Sequence, residues 1–306
     1  MSSNDPVAGS DEPTAGNNDP AASSSDRFGP APPLPAHVST PGAFFSWFHS
    51  VVPSATSAVF GRGRVADGQS SYDLALSAWG RDGAPGAVLD VGCGDGYLLS
   101  VARGRWPKAR LVGVDIAPHE AEVALAEIQV AVRRSEAAEL PLGRGEVDLA
   151  LFHLTLPFLP DPVGALRAAR DVLRPGGALS AVLATRPSTY SVYQRFGDEV
   201  RRLYAEGHYR PMPLFNGATG SVEALRELFA AAGMTDVQIE DHELVLDGSR
   251  QEVWRCLATT YDWPLLDEGG REELLRLSTQ WLDAAEPIVC RFGLRHVVAR
   301  IAEGQV

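Results

Sequence analysis

Asp90 lies in the run Val88-Leu-Asp-Val-Gly-Cys-Gly-Asp-Gly-Tyr-Leu-Leu99, just before glycines at 92, 94 and 96. The run reads as a short buried strand, a glycine hinge and the first turn of a helix, with backbone free to approach a ligand. Dinucleotide sites seat a pyrophosphate at that helix N-terminus. A carboxylate there repels phosphate and favours a cation. The glycines are spaced G-x-G-x-G, not the G-x-G-x-x-G of dinucleotide sites. An adenosine ligand without phosphates and with positive charge fits better. Asp115 follows Gly96 by 19 residues, near the spacing expected of a ribose-binding carboxylate.

The Val88–Leu99 run resembles motif I of the class I S-adenosylmethionine-dependent methyltransferases, and later segments follow in that family's order. Gly113-Val-Asp-Ile-Ala-Pro118 resembles the end of the second strand, and Glu136-Ala-Ala-Glu-Leu-Pro-Leu142 the adenine loop. Val147-Asp-Leu-Ala-Leu-Phe-His153 with Leu159-Pro-Asp-Pro162 resembles the fourth strand and its exit, and Val172-Leu-Arg-Pro-Gly-Gly-Ala-Leu179 the turn into the fifth. The likeness is strongest over about 86–185, and its flavour is the small-molecule branch that includes the ubiquinone/menaquinone C-methyltransferases (methyltransferase type 11).

The resemblance implies an α/β, Rossmann-like fold. Its seven-stranded sheet is mostly parallel, with the last strand antiparallel between strands five and six and helices on both faces. It implies S-adenosyl-L-methionine as cofactor and S-adenosyl-L-homocysteine as product. Asp115 would meet the ribose. Glu136, with Ala137 and Ile116, would meet the adenine; the alternative for Glu136 is a solvated loop acid, because Glu139 is close by. Asp90 and the turn of Gly92, Cys93, Gly94 and Gly96 would hold the methionyl end, with Phe152 and His153 closing the cofactor site. Cys93 otherwise reads as a packing thiol.

Methyl transfer needs the acceptor aligned on the methyl group, since the cofactor brings the reactivity. An oxygen or nitrogen acceptor also gives up a proton. His153, just past strand four, is the first candidate for a base or substrate contact; the plainer reading is a residue lining the cofactor pocket. His208, then Tyr209 and Tyr193, are candidates from the segment after strand five. His119 reads as a loop residue and His242 as structural. Phe152-His-Leu-Thr-Leu-Pro157 lacks the Asn/Asp-Pro-Pro-aromatic sequence of amino-methyltransferases acting on adenine or glutamine. No acidic triplet suggests a metal site.

Around these residues the chain organises in order. Residues 1–40 are rich in Ser, Pro, Ala and Gly and read as a disordered tail. Residues 41–80 read as a helical cap, crowded with Phe44, Phe45, Trp47 and Phe48. Residues 81–306 form the cofactor domain, alternating strand and helix as parallel sheets do. Expected strands are 88–91, 110–115, 130–134, 147–152, 178–184, 237–246 and 295–301. Asp161 and Pro162 start one helix, and Ser221 caps another that stops at Gly233. Residues 250–260 and 271–285 read as helices. Residues 186–220, rich in Tyr and Arg, read as a lid inserted after strand five; the alternative is a helical insertion with an ordinary buried stripe.

The net charge of −12 and a single lysine, Lys108, argue against sequence-independent nucleic-acid binding. The three cysteines have neither metal-ligand spacing nor a disulfide framework. No leader and no run of membrane-spanning length is read, so the expectation is a cytoplasmic monomer or homodimer. The reading is a methyltransferase acting on an apolar or aromatic small molecule at O, C or N, in specialised metabolism such as antibiotic biosynthesis. The alternatives are an enzyme coupling methylation to cyclisation or rearrangement, a methyltransferase-fold cyclase, a binding module without turnover, and an NAD-dependent dehydrogenase, which Asp90 and the glycine spacing disfavour.

Overall fold

The computed structural model describes residues 30–117, 125, 130–234, 236–282 and 288–302. Strand β1 (Ala87–Val91) is buried at every position. Burial on both faces suits a central strand of a parallel sheet. Around it lie β2 (Arg110–Asp115), β3 (Ala131–Arg134), β4 (Val147–His153), β5 (Leu173–Thr185), β6 (Val237–Gly248) and β7 (Ile288–Arg300), in the order β3-β2-β1-β4-β5-β7-β6. The first five strands pair in parallel. β7 runs antiparallel to both neighbours, β5 and β6. The expected topology is the observed one.

The helices are α1 (Pro41–Val51), α2 (Ala55–Phe60), α3 (Ser71–Ser77), α4 (Tyr97–Arg105), α5 (Pro162–Val172), α6 (Val192–Ala205), α7 (Val222–Ala231), α8 (Arg250–Ala258) and α9 (Glu268–Leu282). Their starts follow local chemistry. Asp161 accepts from the Gly164 amide at 2.8 Å, with Pro162 opening α5. Ser221 caps α7, and Ser70 and Asp73 form a reciprocal capping box on α3. One sheet face packs Val88, Leu151 and Val182 against Leu76 of α3, Leu99 of α4 and Phe196 of α6. The other packs Leu89, Phe152 and Ala181 against Leu166 of α5 and Phe229 of α7. Among the described residues no helix is long and apolar enough to cross a membrane.

Four boundaries differ from the sequence reading by three positions or more; β5 begins at Leu173, five positions before the expected 178, where it pairs with Val147 of β4. β7 begins at Ile288, seven positions before the expected Arg295, and its first residues pair with β6 as far as Gly248. α9 begins at Glu268 despite Gly269 and Gly270, because Asp267 caps it, its side chain accepting from the Gly270 amide at 2.8 Å and its carbonyl from the Arg271 amide at 3.0 Å; glycine suits position 270 because a Cβ there would stand 2.9 Å from the His208 Cβ. Residues 30–40, expected to be part of the tail, are bonded to the body. The Leu34 amide donates to Pro264 O at 3.0 Å, the Trp263 indole to Ala31 O at 3.0 Å, and the Arg210 guanidinium to Val38 O at 2.6 Å. Residues 1–29, His119 and positions 283–285 of the expected last helix lie outside the described residues.

Candidate functional site

The turn after β1 is built around two acids. Its Gly92 and Cys93 amides donate to Val114 O at 2.7 and 3.1 Å, tying the turn to the end of β2. Asp115 then accepts from the Gly94 amide at 3.0 Å and the Ala117 amide at 2.9 Å, one on each carboxylate oxygen. Gly92 sits at φ 75°, and a Cβ there would meet Thr155 Cγ2 at 2.3 Å. Thr155 gets that close because Leu154 turns the chain off β4 at φ 58°, a conformation rare for a leucine.

Asp90 is 1% exposed, and its Oδ1 has no hydrogen-bond partner. Burial pushes its pKa well above the carboxylate range, and the neighbouring charges of Asp115 and Asp95 add to the shift. An unpaired buried carboxylate is costly unless a cation or donor meets it. Asp95 accepts the Ser57 hydroxyl at 2.5 Å, which ties α2 over the turn.

These acids line one end of a cavity of about 1840 Å³. A pocket for one drug-sized ligand holds roughly 300–1,000 Å³, so there is room for a cofactor and a second molecule. Asp90, Gly92, Cys93, Gly94, Asp115, Ile116, Glu136, Ala137 and His153 all line it. The other end is roofed by α1, by residues 186–216 and by the loop after α8. There Phe158 packs against Phe45, Tyr261 and Phe215 at ring-centroid distances of 5.1, 5.3 and 4.9 Å.

Four expected site residues fall elsewhere. Phe152 packs under the sheet with Leu166 and Phe229, because strand alternation turns it away from the face that carries His153. Gly96 is outside the lining; at φ 77° it starts α4 against Leu125, whose side chain a Cβ would meet at 2.5 Å. His208 is half-exposed, bonded through Nδ1 to Asp267 at 3.1 Å. Tyr209 also misses the cavity, and its hydroxyl donates to Asp262 at 3.3 Å. His153 reaches the cavity, but its Nε2 is 2.9 Å from the Ser71 hydroxyl and burial lowers its pKa to about 3.

Asp95, His49, Tyr261 and Asp262 line the cavity without having been singled out. His49 Nε2 lies 3.3 Å from the Tyr261 hydroxyl, and burial lowers the imidazole pKa against the opposing pull of Asp115 and Asp95. An aromatic in a loop between two helices was the available signal for Tyr261. Burial raises the Cys93 thiol, reinforced by Asp90, so it stays protonated.

Residues 89–181 match the family Methyltransf_11, described as a methyltransferase domain. A malonyl-[acyl-carrier protein] O-methyltransferase of Hahella chejuensis is 33% identical over 118 residues, 38% of this chain and 42% of that protein. A ubiquinone biosynthesis O-methyltransferase of Xanthomonas campestris is 34% identical over 136 residues, 41% of this chain and 56% of that protein. The chain thus spans about half the length of the curated relatives it matches. Among solved structures, the [4+2]-cyclase SpnF superposes with a TM-score of 0.55 at 18% identity, over 90% of this chain and 100% of that one. That likeness shows the fold.

Proposed function

We propose that this chain, whose residues 89–181 match a methyltransferase domain, uses S-adenosylmethionine to transfer a methyl group to an apolar or aromatic small molecule. One observation carries the reading. A single cavity joins an unpaired buried carboxylate, Asp90, at the glycine turn to a wall of aromatic rings at its far end. The carboxylate suits the ammonium and sulfonium of the donor, and the rings suit an unsaturated or aromatic acceptor.

In this reading Asp90 and the Gly92 turn hold the methionyl end. Asp115, already oriented by two backbone amides, takes the ribose hydroxyls. Glu136, Ile116 and Ala137 border the adenine. S-adenosylmethionine supplies an electrophilic methyl group when bound. The chain's own part is to exclude water under the α1–α2 roof and to align the acceptor. A cytoplasmic setting goes with a donor made there. A specialised-metabolite acceptor is supported by a cavity of about 1840 Å³, which leaves room beside the donor.

The test is incubation of the full chain with methyl-labelled S-adenosylmethionine and a panel of aromatic and polyene metabolites. Label in a product that gains one methyl mass supports the reading; no labelled product and no cofactor binding overturns it. A cyclase is the second reading, favoured by the aromatic walls and by a fold shared with SpnF over 90% of this chain. A product of unchanged mass identifies it.

A further inference from the structure

Of the carboxylates that line the cavity beyond the cofactor end, Asp198, Asp241 and Glu243 are each ion-paired with an arginine, whereas Asp262 is bonded to a tyrosine. Asp262 follows α8 in the loop that also carries Tyr261, and both residues line the cavity. The Tyr209 hydroxyl donates to its Oδ1 at 3.3 Å. The cation that acts on it, Arg201, is itself ion-paired with Asp198. Burial raises the Asp262 pKa, against the hydrogen bond from Tyr209 and the pull of Arg201; once a cation meets it and it ionises, the three charges sum to one negative.

Aromatic rings line the same cavity. Tyr261 presents its ring beside Phe45, with centroids 5.3 Å apart, and Tyr193 packs on Phe292 at 4.6 Å. Burial, with Asp262 itself contributing, raises the Tyr193 phenol, so it remains neutral. Aromatic faces carry negative potential and attract cations. At the other end Asp90, Asp95 and Asp115 line the same cavity, whereas S-adenosylmethionine brings one net positive charge. Negative potential remains when the donor is bound. Arg186 lines the mouth but is exposed, where water screens it.

We propose that Asp262, with the neighbouring ring of Tyr193, is a specificity site for a cationic amine on the acceptor. The inference rests on the cofactor-plus-acceptor reading and narrows its substrate class: a molecule bearing an ammonium group is selected, and one bearing a carboxylate or phosphate is disfavoured. Tyr209 is a positioning residue here, holding one oxygen of the Asp262 carboxylate.

The experiment titrates the full chain, saturated with S-adenosylhomocysteine, with choline and with its neutral carbon isostere 3,3-dimethylbutan-1-ol. Choline is expected to bind at least tenfold more tightly. In Asp262→Asn that preference falls to near unity while S-adenosylhomocysteine affinity stays unchanged, which also reports an intact fold. Tyr209→Phe reduces the preference less. Equal binding of the two probes by the wild-type chain, or a preference that survives in Asp262→Asn, overturns the proposal. Loss of S-adenosylhomocysteine binding in the wild type instead overturns the cofactor reading, so the two failures are separate.

Discussion

The hydroxyl of Ser71 lies 2.9 Å from Nε2 of His153, and the Tyr72 ring stacks on the imidazole at 4.0 Å between centroids. The histidine is bonded on one nitrogen, stacked on one face and buried. Its role in this arrangement is to join α3 to the end of β4, with its ring kept neutral.

That role has a pH signature. The folded pKa of His153 is lowered from 6.5 to about 3 by burial. A base whose folded pKa is depressed contributes full stability above pH 6.5 and loses it as pH falls towards 3. Between pH 6.5 and 5 the loss is about 2 kcal/mol at 1.36 kcal/mol per pH unit. Replacing His153 with Gln removes this dependence, so thermal melts of wild type and variant converge as pH falls from 7 to 5. If His153 were the proton acceptor of the reaction, the variant would instead keep the melting profile and lose the acid limb of the rate profile.

Asp90 gives the opposite sign. It is an acid whose folded pKa is raised by burial and by Asp115 and Asp95. Its contribution is fully present below pH 3.8 and is lost as pH rises towards the folded value. Ligand-free Asp90→Asn is therefore more stable than wild type at pH 7.5, and the difference shrinks on acidification. Differential scanning fluorimetry from pH 5 to 8 measures it. A variant less stable than wild type at every pH would mean that Asp90 has an internal partner.

Gly92 and Gly94 separate backbone strain from collision. Both have positive φ, 75° and 51°, but a Cβ on Gly94 meets nothing within 4 Å while one on Gly92 meets Thr155 at 2.3 Å. Gly94→Ala should cost about 1–2 kcal/mol from the left-handed conformation alone. Gly92→Ala should cost more, by about 1–3 kcal/mol of overpacking. Pairing it with Thr155→Ala should recover part of the excess. Urea melts of the three variants decide this, and equal costs at 92 and 94 would refute it.

Phe158 is the ring that joins the two sides of the aromatic wall, touching Phe45, Tyr261 and Phe215. Phe158→Ala is expected to raise KM for an accepted substrate about tenfold, the loss of roughly 1.4 kcal/mol, with cofactor affinity unchanged. Equal weakening of both ligands would show that the wall supports the whole cavity and does not define an acceptor half.

The legible parts of this protein are those specified by short stretches of chain. Val88–Val91 declares a buried central strand, Asp161-Pro162 and Ser221 declare helix starts, and the glycine turn declares a ligand. Phe152 reads from the sequence as closing the cofactor site beside His153, although strand alternation places the two on opposite faces of the sheet. The roof was not legible. His49 and Tyr261 are 212 positions apart and meet only through tertiary packing. The start of α9 was hidden by Gly269 and Gly270, although Asp267 just before them caps the helix and His208 fills the space beside Gly270. Tyr209 was singled out for its own hydroxyl, but its place in the structure is behind Asp262.

The central claim is that the buried acid before the glycine turn meets a cationic adenosine cofactor. Titration calorimetry of the full chain with S-adenosylmethionine, run beside Asp90→Asn and an NADH titration, tests it most directly. The account predicts one-to-one binding of S-adenosylmethionine, a loss of tenfold or more in Asp90→Asn, and no binding of NADH. Absence of binding at millimolar S-adenosylmethionine, or an Asp90→Asn variant that binds it as tightly as wild type, would contradict the account.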